Sequence, residues 1–131
     1  MVTWLLLGIA VHYVAVFLPA PFFLGRKGLG AYMGARDDEP EEAGLYGRAR
    51  RVLRNSNENI AVFVGLAAAA LALDAPEGGG ADMGLATTGA ALFVIARAAF
   101  IPLYLLGVPW VRSIAWIAGF VGLIMMGAAL L

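Results

Sequence analysis

The feature that most constrains this chain is a charged segment that turns apolar without interruption. Arg48–Ala49–Arg50–Arg51–Val52–Leu53–Arg54–Asn55–Ser56–Asn57–Glu58 runs into Asn59–Ile60–Ala61–Val62–Phe63–Val64–Gly65–Leu66, with no Gly or Pro from Arg48 to Val64. Nothing in it signals a turn, so it reads as one helix passing from water into lipid. The apolar part, Ile60 to Leu73, spans about 21 Å at 1.5 Å per residue, short of the roughly 30 Å of a bilayer core. The preceding six residues have to supply the remainder. That puts Glu58 within the hydrocarbon and Asn55 and Arg54 near its edge, where polar groups are costly and mark candidate sites.

Helical phase sharpens the reading. At 100° per residue Arg48, Arg51, Arg54, Asn55 and Glu58 fall within an arc of roughly 120°, while Arg50 and Ser56 point elsewhere. The stripe continues as Val62, Gly65 and Ala69, small enough for a neighbouring helix to approach. These polar residues are therefore expected to face protein. Arg48 and Arg50 also fit simple markers of the cytoplasmic end of a span.

The 131 residues are 62% hydrophobic against a usual 45–50%, which implies an integral membrane protein with little mass outside the bilayer. The length allows one domain, residues 1–131. Net charge is zero, so nothing suggests nucleic acid. There is no cysteine, which removes disulfides, thiolate catalysis by the protein itself and Cys-ligated metals. One His and loop-bound carboxylates make no metal site.

Val2 to Leu24 reads as a first span, too long for a signal h-region. Its basic residues, Arg26 and Lys27, follow it, so the N-terminus is expected outside and the next loop in the cytoplasm. His12 lies mid-span; it fits a proton relay or, more simply, a neutral His satisfied inside a bundle. Pro19 and Pro21 should kink the inner end. Residues 25–47 read as a polar loop. Its glycines make no dinucleotide fingerprint, and Asp37–Asp38–Glu39–Pro40–Glu41–Glu42 reads either as a solvated run or as the start of the second helix.

Residues 74–82 read as a short acidic turn whose glycines lack the Lys and Ser/Thr of a phosphate loop. A third span is expected over about Met83 to Leu106, with a small-residue outer half. Arg97 lies about 13 Å from its cytoplasmic end and needs an anion; Glu58 is the carboxylate expected in the membrane. Tyr104 shares its face, although Tyr104 and Trp110 also suit an interfacial aromatic belt. After a turn at Gly107–Val108–Pro109, Trp110–Val111–Arg112–Ser113 opens a fourth span to Leu131. Arg112 sits at a helix start, where the dipole disfavours a cation unless an anion is bound. The result is an all-α bundle of four transmembrane helices with both termini outside.

The ordered set Arg51–x–x–Arg54–Asn55–x–x–Glu58, then Arg97, Tyr104 and Arg112–Ser113, resembles the MAPEG family (membrane-associated proteins in eicosanoid and glutathione metabolism). Gly34–Ala35–Arg36–Asp37–Asp38 and Gly47–Arg48–Ala49–Arg50–Arg51 look like its bacterial members, which implies a bacterial inner membrane. The likeness covers essentially residues 34–116. It implies a homotrimer binding glutathione between protomers near the cytoplasmic side. Arg51, Arg54, Asn55 and Glu58 would bind glutathione from one protomer, with Tyr104 and Arg112 from its neighbour. Arg97 would support the site, Arg26 would match the basic residue ending the first helix, and Arg112, Tyr104 and Ser113 would form the catalytic group. Phe100 stands where some members have a polar ligand, and Ala61 where bacterial relatives often have Pro.

The chemistry agrees with the residues. Arginines at a membrane edge can hold glutathione's carboxylates, and Glu58 its ammonium. Arg112 beside the sulfur would favour the thiolate, which would attack a lipophilic electrophile dissolved in membrane lipid. The expected activity is a glutathione-dependent transferase or peroxidase. Alternatives are a catalytically silent relative binding glutathione or lipid, and a small multidrug exporter, which would need a first-helix carboxylate that this chain lacks.

Overall fold

The computed structural model describes residues 1–74 and 80–131 as an all-helical protein. Its helices are α1 (Val2–Phe17), α2 (Pro19–Met33), α3 (Gly44–Leu73), α4 (Met83–Leu106) and α5 (Pro109–Ala128). α1 and α2 run on as one long rod, so four helical rods are long and apolar enough to cross a membrane. The Ala75–Pro76–Glu77–Gly78–Gly79 part of the expected acidic turn lies outside the described residues.

The α1–α2 boundary falls at Leu18, directly before Pro19. Pro19 and Pro21 bring no N–H to the helical ladder, which is the physical reason for a break here. Beyond it the structure departs from the sequence reading. The residues of Gly25 to Met33, expected as loop, take helical turns on either side of a kink at Gly28, whose φ of 79° and ψ of 171° are not helical. The expected loop of residues 25–47 therefore shrinks to the stretch between Met33 and Gly44.

The acidic residues of that shorter loop stay exposed and outside α3, as the solvated-run reading expects, and several of them are ion-paired. The loop folds back on its neighbours. Arg26 donates to the carbonyls of Glu41 and Ala43, each at 3.1 Å. Lys27 meets Asp38 at 2.6 Å, and Arg50 and Arg54 reach Glu42 at 3.2 and 3.0 Å. An aromatic trio, with Phe23 edge-on to both Tyr32 and Tyr46, holds α2 against α3 beneath it.

The core is built where small residues let helices close. α4 and α5 meet backbone to backbone. A Cβ on Gly89 would stand 2.6 Å from the carbonyl oxygen of Gly122, and one on Gly122 the same distance from that of Gly89. No side chain fits there, so the two glycines set the helix spacing. Phe63 of α3 stacks on Phe93 of α4 with centroids 4.5 Å apart, and α1 lies on Phe63 at Gly8. Ala67, Ala90, Val94, Leu123 and Met126 complete this central cluster. α4 ends on Gly107 in the left-handed conformation, and Arg48 donates to the Leu105 carbonyl at 2.7 Å. That arginine, expected as a bare topological marker, satisfies one of the carbonyls left free at a helix C-terminus.

Met1 packs with Ala70, Ala86 and Ala129, and the Asp82 N–H donates to the Ala129 carbonyl at 2.9 Å. Both termini, the end of α3 and the start of α4 thus share one end of the bundle. Arg48, the 34–43 loop and the α4–α5 turn share the other.

Candidate functional site

α3 presents two polar faces at that second end. On the inward face Asn55 accepts a hydrogen bond through Oδ1 from Arg97 Nη1, and Ser56 Oγ lies 2.9 Å from His12 Nδ1. Arg97 is only 7% exposed; its guanidinium lies beside the rings of Phe93 and Phe100, at 5.3 and 5.7 Å. Gly119 of α5 lies against it, where a Cβ would stand 3.4 Å from Arg97 Nε, in van der Waals contact.

On the outward face Arg51, Arg54 and Glu58 are exposed, as are Val62 and Gly65 above them. Within the protomer the stripe is therefore divided between the bundle interior and its outer surface. Of its polar members, Asn55 turns into the bundle and Arg48 reaches the end of α4; Arg51, Arg54 and Glu58 point away from the chain's own helices. The expected Glu58–Arg97 pair does not form either: among the described residues no salt bridge includes Glu58. The physical reason is phase. α3 packs against α1 and α4 through Val52, Phe63, Ala67 and Ala70, and that face carries Asn55 inward and Glu58 out.

A cavity of about 340 Å³ gathers part of the expected set. Asn55 of α3, Phe100 and Tyr104 of α4, and Arg112, Ser113, Trp116 and Ile117 of α5 line it. Arg112 sits in the first turn of α5, its guanidinium 4.6 Å from the centre of the Tyr104 ring. That contact offsets part of the unfavourable interaction of a cation with a helix N-terminus. Ser113 donates its hydroxyl to the Pro109 carbonyl at 3.0 Å, so its oxygen keeps lone pairs free. The remaining wall is apolar: Phe100 packs on Tyr104 with centroids 5.2 Å apart, and Trp116 stacks on Phe120, both rings exposed on the outside of the protomer.

Asn55, Tyr104, Arg112 and Ser113 therefore come together within one chain, and Arg97 braces Asn55 from behind. Asn55 thereby shares a cavity with its own chain's Tyr104 and Arg112, where the resemblance had implied a neighbour's. Arg51, Arg54, Glu58 and Arg26 do not reach this cavity. Arg54 is held by Glu42 and Arg26 by loop carbonyls. The Glu42 carboxyl is held below its ordinary range chiefly by the hydrogen bond from Arg50, with Arg54 adding to it. Sequence reasoning missed Trp116, Ile117 and the His12–Ser56 bond. Trp116 was within reach: it lies four residues after Arg112, on the same helix face. Ser56 was read as pointing elsewhere, and it does, into the bundle. His12 is the satisfied bundle histidine of the simpler reading.

A family model described as MAPEG family matches residues 1–131, the full length of the sequence. No curated protein and no solved structure matches.

Proposed function

The chain belongs to the MAPEG family, and we propose that it is a glutathione-dependent membrane transferase or peroxidase. The observation that carries this reading is the cavity in which Arg112 lies over Tyr104 beside an apolar wall of Phe100, Trp116 and Ile117. One side offers charge and hydrogen bonds to a peptide thiol; the other offers a surface to a lipophilic electrophile.

The residues fit glutathione in kind. Its two carboxylates suit arginine forks and its ammonium suits a carboxylate. Asn55 and Tyr104 supply hydrogen-bonding groups on the cavity side. Arg51, Arg54 and Glu58 form the complementary charged face on the outside of the same chain. In this reading a neighbouring copy brings that outward face up to the cavity of the next, so the assembled site needs a homo-oligomer, expected as a trimer. Arg112, close to the sulfur, lowers the thiol pKa and raises the thiolate fraction. The thiolate attacks an electrophile that reaches it along the Trp116 side, from lipid. Tyr104 and Ser113 hold the nucleophile in place, and Arg97 acts through Asn55.

In this reading the basic residues of the 25–54 segment and Arg112 lie in the cytoplasm by the positive-inside rule and both termini lie outside; the likeness to bacterial family members implies an inner membrane. A cysteine introduced at Ala35 should label with an impermeant reagent only from the cytoplasmic face.

The test is conjugation by the purified protein with glutathione and a generic aryl halide. Wild-type protein should form the conjugate and show thiolate absorbance when glutathione is added. Arg112→Leu should lose that absorbance and lower kcat far more than it weakens binding, as expected for a group acting on the reacting atom. Wild-type turnover in Arg112→Leu would sink the assignment. Glutathione binding with neither thiolate nor conjugate in the wild type would make the protein a binder and not an enzyme.

A further inference from the structure

The 34–43 loop is seated on α3 at one residue, Glu42. Its backbone lies so close to the first turn of α3 that a Cβ on Gly47 would stand 2.2 Å from the Glu42 carbonyl oxygen. Only glycine fits there, so Gly47 is the notch that receives the loop. Arg26 of α2 clamps the same point, one nitrogen donating to the Glu41 carbonyl and the other to that of Ala43, each at 3.1 Å. These contacts bracket Glu42 and fix where its side chain begins.

The side chain ends on two arginines one helical turn apart. Oε1 accepts from Arg50 Nε at 3.2 Å and Oε2 from Arg54 Nη2 at 3.0 Å. Arg50 also faces Glu39 at 3.6 Å. Arg54 has Glu42 as its one salt-bridge partner among the described residues, and 62% of its side chain is exposed. A carboxylate on one edge of a guanidinium occupies a donor and offsets the charge that draws a second carboxylate. Any anion that comes to Arg54 meets Glu42 already there.

We propose that Glu42 is a built-in competitor for the ligand carboxylate at Arg54, and that the 34–43 loop thereby gates glutathione binding. The gate rests on the reading in which Arg54 binds glutathione. An arriving ligand carboxylate takes over Arg54, and Glu42 falls back on Arg50, which it already touches. One charge-assisted bond replaces another, so the loop sets the affinity without closing the site. Exposed ion pairs contribute little each, which makes this a shallow gate, opened by ligand concentration and not by unfolding. Arg26 acts in it as a positioning residue, through the loop backbone.

The experiment is calorimetric titration of the full chain in detergent with glutathione, wild type against single variants. Glu42→Gln keeps the size of the side chain and removes its charge; it should tighten binding about three- to fivefold. Glu41→Gln removes the same charge from the same loop, but Glu41 forms no salt bridge among the described residues, so affinity should stay at the wild-type value. Arg26→Gln leaves Glu42 in place and loosens its seat. It should tighten binding about twofold, which a damaged fold would not do, and it carries the test should Glu42→Gln fail to fold. Glutathione bound by wild type and no more tightly by Glu42→Gln overturns the gate and leaves the proposed function standing. Equal tightening by Glu41→Gln also overturns it, because the effect is then one of general charge. Absence of binding in wild type and Glu42→Gln alike overturns both.

Discussion

The two polar faces of α3 differ by a turn of phase and behave as different materials. On the inner face Asn55 and Ser56 are neutral, half-buried and bonded to Arg97 and His12. On the outer face Arg51 and Glu58 are charged and exposed, with no side-chain hydrogen bond or salt bridge among the described residues, and Arg54 is tied to the loop through Glu42. The inner face is a fixed part of the bundle, where each group has a defined partner and a vacated partner is costly. The outer face contributes little to the protomer's stability, which leaves its charges free to be spent on a ligand or on another copy. Charge density along the sequence points to the outer face; structural consequence lies with the inner one.

The largest effects should come from the inner face. Asn55→Leu removes the acceptor that Arg97 uses among the described residues and should destabilise the chain by about 3 kcal/mol, read as a fall in Tm in detergent. Glu58→Gln should leave Tm within about 0.5 kcal/mol of wild type. A large loss with Glu58→Gln would mean that Glu58 and Arg97 meet after all.

Glycines give a second pair. Gly122→Ala drives a methyl towards the Gly89 carbonyl and should cost about 1–3 kcal/mol by overpacking. Gly65→Ala meets nothing within 4 Å and should be neutral or stabilising by up to about 1 kcal/mol. Gly65→Leu tests whether another copy covers the outer face: a shift towards smaller species on size-exclusion chromatography is the expected result, and an unchanged profile removes that cover.

The outer charges should matter for ligand and not for folding. Arg51→Ala and Glu58→Gln should each weaken glutathione binding about tenfold in calorimetry, equivalent to about 1.4 kcal/mol, with Tm unmoved. Equal losses of Tm and affinity would erase the distinction between the faces.

The smallest effect is one of pH. Glu42 has its pKa lowered in the folded state, so its contribution is fully present above the ordinary value of 4.5 and is lost as pH falls through the lower folded value. Protease cleavage in the 34–43 loop should rise below about pH 4, and Glu42→Gln should bring the higher cleavage rate to neutral pH. A loop whose cleavage is unchanged by Glu42→Gln is held by Arg26 and Lys27 alone.

Much of this was legible along the chain. The four rods follow from apolar length, the α1–α2 break from Pro19, and the α4–α5 turn from Gly107 and Pro109. Helix formation in lipid leaves backbone groups no alternative partner, so length and polarity suffice. The candidate site was legible by half. Arg112, Ser113, Tyr104 and Asn55 do share one cavity, and Arg97 does lie beside Asn55. Gly25 to Met33 was read as loop because three glycines weaken a helix in isolation. Here helical turns form on both sides of Gly28, with Tyr32 edge-on to Phe23 and Phe23 edge-on to Tyr46.

The sequence by itself determined that the chain spans a membrane, how many times, and which residues carry charge near its edge. Only the tertiary structure decided which side of α3 is inside. Phase fixes the angles between residues on one helix, but its absolute rotation is set by packing, by Phe63 against Phe93 and Gly8, and by Ala67 and Ala70 in the core. That rotation gives Asn55 to Arg97 and turns Glu58 away.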